Sequence, residues 1–102
     1  ARDGYTAIGN LSISFGKYLV EKDGKPLDLT SKEFEILALL AANPGKVFTR
    51  QQIYEHIWGD DSPIDTNSIT VFIRRIREKI EDNASQPRYL LTVWEVGYKF
   101  AE

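Results

Sequence analysis

Thr66–Glu81 reads TNSITVFIRRIREKIE, and the interpretation of this stretch decides the fold. Advancing about 100° per residue places Ile69, Ile73, Ile76 and Ile80 in one narrow stripe, with Phe72 at its edge. The pattern predicts an amphipathic helix over about 66–81, capped by Asp65 or Thr66 and held to a core by four isoleucines. Asn67, Val71, Arg74, Arg75 and Glu78 fall on the opposite side. From Thr66 to Ile80 four cations face one anion, a local charge of +3 in a chain whose net charge is −2. A solvated basic face is the plainer explanation of that excess, and isolated exposed apolar residues such as Val71 are common. The sharper explanation is a major groove. Its phosphate oxygens and guanine acceptors suit arginine forks, and its thymine methyl suits Val71.

The flanking sequence favours the groove. Upstream, Thr30-x-x-Glu33 and Thr49-x-x-Gln52 are capping boxes that open two further helices. Phe34, Leu37, Ala38, Leu40 and Ala41 give the first a buried face, and Asn43-Pro44-Gly45 stops it. Ile53, Ile57 and Tyr54 line the second, which Gly59 ends before an acidic loop through Ile64. Before them, Leu11, Ile13 and Phe15 alternate with serines as in a half-buried strand, and Tyr18–Glu21 and Lys25–Leu29 flank an Asp23-Gly24 hairpin signal. Downstream, Tyr89–Trp94 and Tyr98–Ala101 read as two strands joined by a turn that includes Gly97. The expected class is α+β: a winged helix-turn-helix with an N-terminal antiparallel sheet, three helices and a C-terminal β-hairpin wing.

Composition agrees. The chain has 102 residues, 42% hydrophobic and 27% charged, the size and balance of one domain with one modest core. Without cysteine, disulfides and thiolate metal sites are excluded. No apolar run approaches the roughly 18 residues that span a bilayer. The chain starts at Ala and lacks Met, so an excised domain is expected, with residues 1–6 a tether and 7–102 the folded unit. Enzyme chemistry has little to stand on. His56 is the single histidine and has no nucleophile set around it, Asp60-Asp61 reads as a solvated loop pair, and no Walker-type glycine loop is present. No metal or cofactor is expected.

Thr66–Glu81 together with QPRYLLTVWEVGYKF (Gln86–Phe100) resembles the effector domain of OmpR/PhoB-type response regulators, and Leu29–Asp60 resembles the same family's first two helices. The resemblance runs from about Leu11 to Phe100. It implies a cytoplasmic bacterial transcription factor that binds double-stranded DNA on direct repeats as a homodimer. A receiver domain absent from this chain would answer to a sensor kinase. By position it implies base-facing roles for Thr70, Val71 and Arg75. It implies phosphate contacts from Asn67, Arg74, Arg77, Trp58, Thr92 and Tyr98, with the wing over about 89–101 near the adjacent minor groove. The loop carrying Asp60, Asp61 and Ser62 corresponds to one that faces RNA polymerase.

Three positions depart from the family pattern. Phe72 replaces a phosphate-contacting His, Asn67 replaces an Arg, and Trp94-Glu95 replaces an Arg-Gly pair at the wing tip. They imply a weaker phosphate grip. The competing expectation is a winged helix used for protein binding, through Val71, Trp94 and the acidic loop.

Overall fold

The computed structural model describes residues 5–59 and 66–102. A four-stranded antiparallel meander comes first: β1 (Tyr5–Ile8), β2 (Leu11–Ser14), β3 (Leu19–Lys22) and β4 (Lys25–Pro26), paired in that order. β1 includes Tyr5 and Thr6, so the last two positions of the expected tether belong to the sheet. The alternation in β2 behaves as its period dictates: Leu11 and Ile13 are buried, and Ser12 and Ser14 are half-buried. Asp23 and Gly24 both take positive φ, 54° and 80°, the geometry of a two-residue hairpin turn whose twist matches its strands. β4 is shorter than the Lys25–Leu29 expected. Pro26 has no N–H, so the ladder stops there apart from one bond from Leu27 N–H to Val20 O at 2.8 Å.

Three helices follow: α1 (Ser31–Ala41), α2 (Arg50–Trp58) and α3 (Thr66–Ile80). Both predicted capping boxes are present. Glu33 N–H donates to Thr30 Oγ1 at 3.2 Å while Thr30 N–H donates to Glu33 Oε1 at 3.0 Å. Thr49 and Gln52 repeat the exchange at 2.9 and 3.0 Å. Of the two expected caps of α3, Asp65 lies outside the described residues, and Thr66 is the first residue of the helix itself. The isoleucine stripe is where the periodicity puts it: Ile69, Ile73, Ile76 and Ile80 are each 1% exposed or less. They pack with Ile36, Leu37, Leu40, Ile53, Leu90 and Phe100 in one core that Leu11, Ile13 and Val20 close from the sheet side. Ile36 and Tyr54 are buried more deeply than the sequence pattern suggests, whereas Ala38 and Ile57 sit at the core's edge.

The chain ends in a hairpin, β5 (Leu90–Val93) with β6 (Gly97–Phe100). Its outer edge is not free. Phe48 N–H donates to Tyr98 O at 2.8 Å and Tyr98 N–H returns to Phe48 O at 2.9 Å, so β6 pairs with the residue just before the cap of α2. This close approach explains Gly97, which lies in β6 and not in the turn. A Cβ there would stand 2.0 Å from the Phe48 carbonyl oxygen. The sheet and hairpin are joined by Tyr89, whose hydroxyl pairs with the Asn10 side chain and accepts the Asn10 N–H at 3.2 Å.

Two outcomes follow from this packing. Gly97→Ala should cost about 2–3 kcal/mol and lower Tm by about 10 °C or more, because the obstacle is backbone and cannot rotate away. Thermal unfolding by circular dichroism reads this directly. The second concerns Glu33, 2% exposed, whose Oε1 also receives Lys79 Nζ at 2.7 Å. Burial opposes its ionisation, but the hydrogen bonds from Lys79 and Thr30 and the Lys79 charge outweigh that and hold its pKa below the ordinary 4.5. A depressed carboxylate stabilises above the unfolded-state pKa and loses that contribution as pH falls through the folded-state value. Glu33→Gln should therefore be less stable than wild type at pH 7, with the gap closing below about pH 4.5. A Tm difference that stays constant down to pH 3 contradicts this assignment.

Candidate nucleic-acid interface

The local charge of α3 divides into an inner and an outer half. Lys79 is taken up by Glu33 of α1. Arg77 turns to the hairpin: its Nε donates to Leu90 O at 2.9 Å, its Nη2 donates to Thr92 Oγ1 at 2.7 Å, and its guanidinium lies 5.7 Å from the Tyr98 ring centroid. Burial lowers the Arg77 pKa from its ordinary value, and the nearby Tyr98 and Glu81 oppose that. Arg74 and Arg75 are exposed and form no ion pair among the described residues. Asn67 and Thr70 are exposed beside them. Val71 is half-buried, so it is less open than its place opposite the isoleucine stripe suggests.

Sequence reasoning missed Arg50. It is the first residue of α2, exposed, and its Nη1 donates to Thr70 Oγ1 at 3.4 Å. Arg50 also faces the hairpin, with which it encloses a cleft of about 300 Å³ lined by residues 92–98. It thus joins the outer face of α3 to the wing. The available signal was its place: the one Lys or Arg in α2, directly after the Thr49 cap, where orphan N–H groups and the helix dipole already favour an anion.

Trp58 is half-buried and packed on three sides. It stacks on Tyr54 at 4.7 Å, tilts against Phe72 at 5.6 Å and carries Lys32 Nζ 5.4 Å from its ring. Phe72 is thereby accounted for, since its ring seals the α2–α3 seam. Of the expected phosphate residues, Arg77, Thr92 and Tyr98 form one internal cluster. Two of the three Arg77 nitrogens are committed inside the fold, which makes it a clamp for the hairpin before anything else. Asp60, Asp61 and Ser62 lie outside the described residues.

The wing tip differs from the rest of the face. Trp94 is 84% exposed and Val96 is 52% exposed. Val96 N–H closes the turn onto Val93 O at 3.0 Å, and Glu95 between them takes φ +66°. Chemically, the assembly offers free guanidinium forks and short polar side chains on one convex helix, with a rigid projection alongside. That suits a polyanion with an edge to read, and no grouping of three or more metal-ligating side chains occurs among the described residues.

Comparison with known proteins places this geometry. A family model described as "Transcriptional regulatory protein, C terminal" matches residues 24–100. The uncharacterized transcriptional regulatory protein YcbL of Bacillus subtilis is 48% identical over 95 residues, which is 93% of this chain and 42% of that protein. The response regulator DrrB of Thermotoga maritima, an OmpR/PhoB homolog, superposes with a TM-score of 0.90 at 41% identity, over 97% of this chain and 45% of that one. The RstA DNA-binding domain of Klebsiella pneumoniae, solved in complex with the RstA box, superposes with a TM-score of 0.83 at 31% identity, over 95% of this chain and 96% of that one. The chain spans under half the length of YcbL and DrrB and nearly all of the RstA domain. With this match over most of its length, the chain belongs to the transcriptional regulatory protein C-terminal family, of OmpR/PhoB type.

Proposed function

We propose that the domain binds double-stranded DNA sequence-specifically and controls transcription, with α3 in the major groove and the hairpin at the adjacent minor groove. One observation carries this reading: every α3 cation that points inward is neutralised or clamped, whereas Arg74 and Arg75 form no ion pair among the described residues and lie exposed on one face with Thr70 and Arg50. In this assignment Arg75, Thr70 and Val71 meet base edges, and Arg74, Arg50, Asn67 and Trp58 meet the phosphate backbone. Arg77, Thr92 and Tyr98 serve by fixing the wing against α3. The RstA DNA-binding domain, solved in complex with the RstA box, supports DNA binding.

In a longer protein the same domain serves a two-component response regulator. A receiver domain answers to a sensor kinase and brings two effector domains together on direct repeats about one helical turn apart. The segment over residues 59–64 faces RNA polymerase, and the setting is the cytoplasm. The relatives that are transcriptional regulators and response regulators support this assignment.

The deciding experiment is a salt titration on DNA selected from random duplexes. With about two to four phosphates neutralised, the slope of log affinity against log salt should be about −2 to −4. A flat titration would favour a protein partner in place of DNA. Three substitutions then separate the arginines. Arg75→Ala should cost about 1–3 kcal/mol of binding and relax preference at one base position. Arg74→Ala should weaken all sequences alike and reduce the salt slope by about one. Arg77→Ala should lower Tm by loss of its two hairpin bonds and leave the slope unchanged. Equal loss of slope in Arg74→Ala and Arg77→Ala would return Arg77 to the phosphates.

A further inference from the structure

The two edges of the hairpin are finished differently. On the β6 edge, Phe48 exchanges both backbone bonds with Tyr98, at 2.8 and 2.9 Å. Tyr98 therefore turns its N–H and C=O away from β5, and its cross-strand partner Thr92 must do the same on the opposite edge. Leu90, two residues earlier in β5, has the same phase, and side chains close it off. Glu81 Oε2 accepts the Leu90 N–H at 2.9 Å, and Arg77 Nε donates to the Leu90 C=O at 2.9 Å. Arg77 meets Thr92 through the hydroxyl and not through the main chain, so the Thr92 N–H and C=O face outward. A donor and an acceptor turned out of a strand edge are the pairing groups for another strand.

The space beside that edge selects the occupant. A cleft of about 640 Å³ runs between β5 and residues 84–87. Leu91 and Val93 are half-buried on it, and exposed Trp94 stands at its end. Two cations line it, Arg77 and Lys99, and no carboxylate does among the described residues. Arg77 spends Nε and Nη2 on the hairpin, keeps Nη1, and forms no ion pair among the described residues. Nearby Glu81 has its oxygens on the N–H groups of Arg88, Tyr89 and Leu90. A half-buried cation in that position is short of an anion. A phosphate diester would supply the charge, but it offers acceptors only and would be repelled by the Thr92 C=O. A peptide strand supplies the donor, the acceptor and the charge together.

From this arrangement we infer that the β5 edge is a docking site for an extended acidic peptide of another protein, which adds antiparallel to β5 and exchanges both backbone bonds with Thr92. The pleat sets the pattern of side chains. The residue opposite Thr92 points to the side of the Thr92 hydroxyl, where Arg77 waits, so it carries the carboxylate. Its two neighbours point to the other face, against Leu91 and Val93, so they are apolar and β-branched. Lys99, paired with Leu91 on that face, adds a second attraction for an acidic segment. The site is separate from the outer face of α3 and does not depend on the DNA-binding reading.

The test titrates the 102-residue chain with acetyl-Thr-Val-Glu-Val-Thr-amide and follows its amide and methyl NMR signals. The Thr92 amide should move downfield and exchange more slowly as it becomes bonded, with further shifts at Leu91, Val93 and the Trp94 indole N–H. Two altered peptides separate charge from backbone pairing. Lys in place of Glu reverses the charge, and N-methylation of the Glu removes only the donor meant for the Thr92 C=O. Each should bind at least about tenfold more weakly than the parent peptide. Lys99→Glu should weaken the parent peptide about threefold or more, with Tm nearly unchanged because Lys99 lies outside the core. An unmoved Thr92 amide, or equal affinity for the parent and N-methylated peptides, overturns the inference. Shifts confined to Arg74 and Arg75 overturn it too, because the peptide is then only a counter-ion for α3. Thr92 shifts that grow with protein concentration before peptide is added give the edge to a second copy of this chain. A Thr92 shift with selected duplex and none with peptide gives it to DNA. Either of these last two results overturns the inference.

Discussion

A buried carboxylate holds the recognition helix to the wing. Glu81, 5% exposed, directly follows α3 and accepts the backbone N–H groups of Arg88, Tyr89 and Leu90 at 2.7 to 3.0 Å. An anion at a helix C-terminus opposes the helix dipole, and taking it out of water costs more still. The three N–H donors offset both costs, because charge-assisted bonds in a dry site are among the strongest a fold can make. Arg77, one turn earlier, adds the opposite half of the clasp through Leu90 O and Thr92 Oγ1. Between them the two side chains satisfy the N–H and the C=O of Leu90, at the entry to β5. The hairpin therefore cannot tilt relative to α3 without breaking a buried charge pattern.

The remaining contacts extend that constraint. β6 pairs with Phe48, one residue before the Thr49 cap of α2, so the wing is also registered on the second helix. Tyr54, Trp58 and Phe72 fill the seam between α2 and α3, the first two rings stacked and Phe72 tilted against Trp58. Lys79 and Glu33 tie α3 to the first turn of α1. The outer face of α3 is thus positioned from three directions, and Arg50 carries it across to the cleft under the wing. A reading surface fixed in this way loses little entropy when a duplex docks on it.

Much of this was legible in the sequence wherever a short-range pattern carried it. The isoleucine spacing in Thr66–Ile80 placed the buried stripe, the two capping boxes placed the starts of α1 and α2, and Asp23-Gly24 placed the hairpin turn, because each of these signals acts within a few residues. What escaped is long-range. Lys79 and Glu33 are 46 residues apart, and Arg77 and Thr92 are 15 apart. A count of charge along α3 cannot tell a cation spent inside the fold from one left for a ligand. Glu81 looked like a helix-ending acid for the same reason: its partners are backbone N–H groups, which leave no trace in side-chain composition. Arg50 was passed over because the helix it opens is short and otherwise unremarkable in charge. Phe72 was noticed as a departure, and its meaning came only with the Trp58 ring beside it.

The central claim is that α3 and the wing move as one body because Glu81 and Arg77 clasp them. Native-state amide hydrogen exchange of Tyr89 and Leu90 tests it most directly, since both N–H groups end on the Glu81 carboxylate. The account predicts that these two amides exchange only with global unfolding, at the same opening free energy as the core amides of Ile73 and Ile76, and that Glu81→Gln lowers their protection more than that of β2. Exchange of Tyr89 and Leu90 through a low-energy local opening, with the core of α3 still protected, would contradict it.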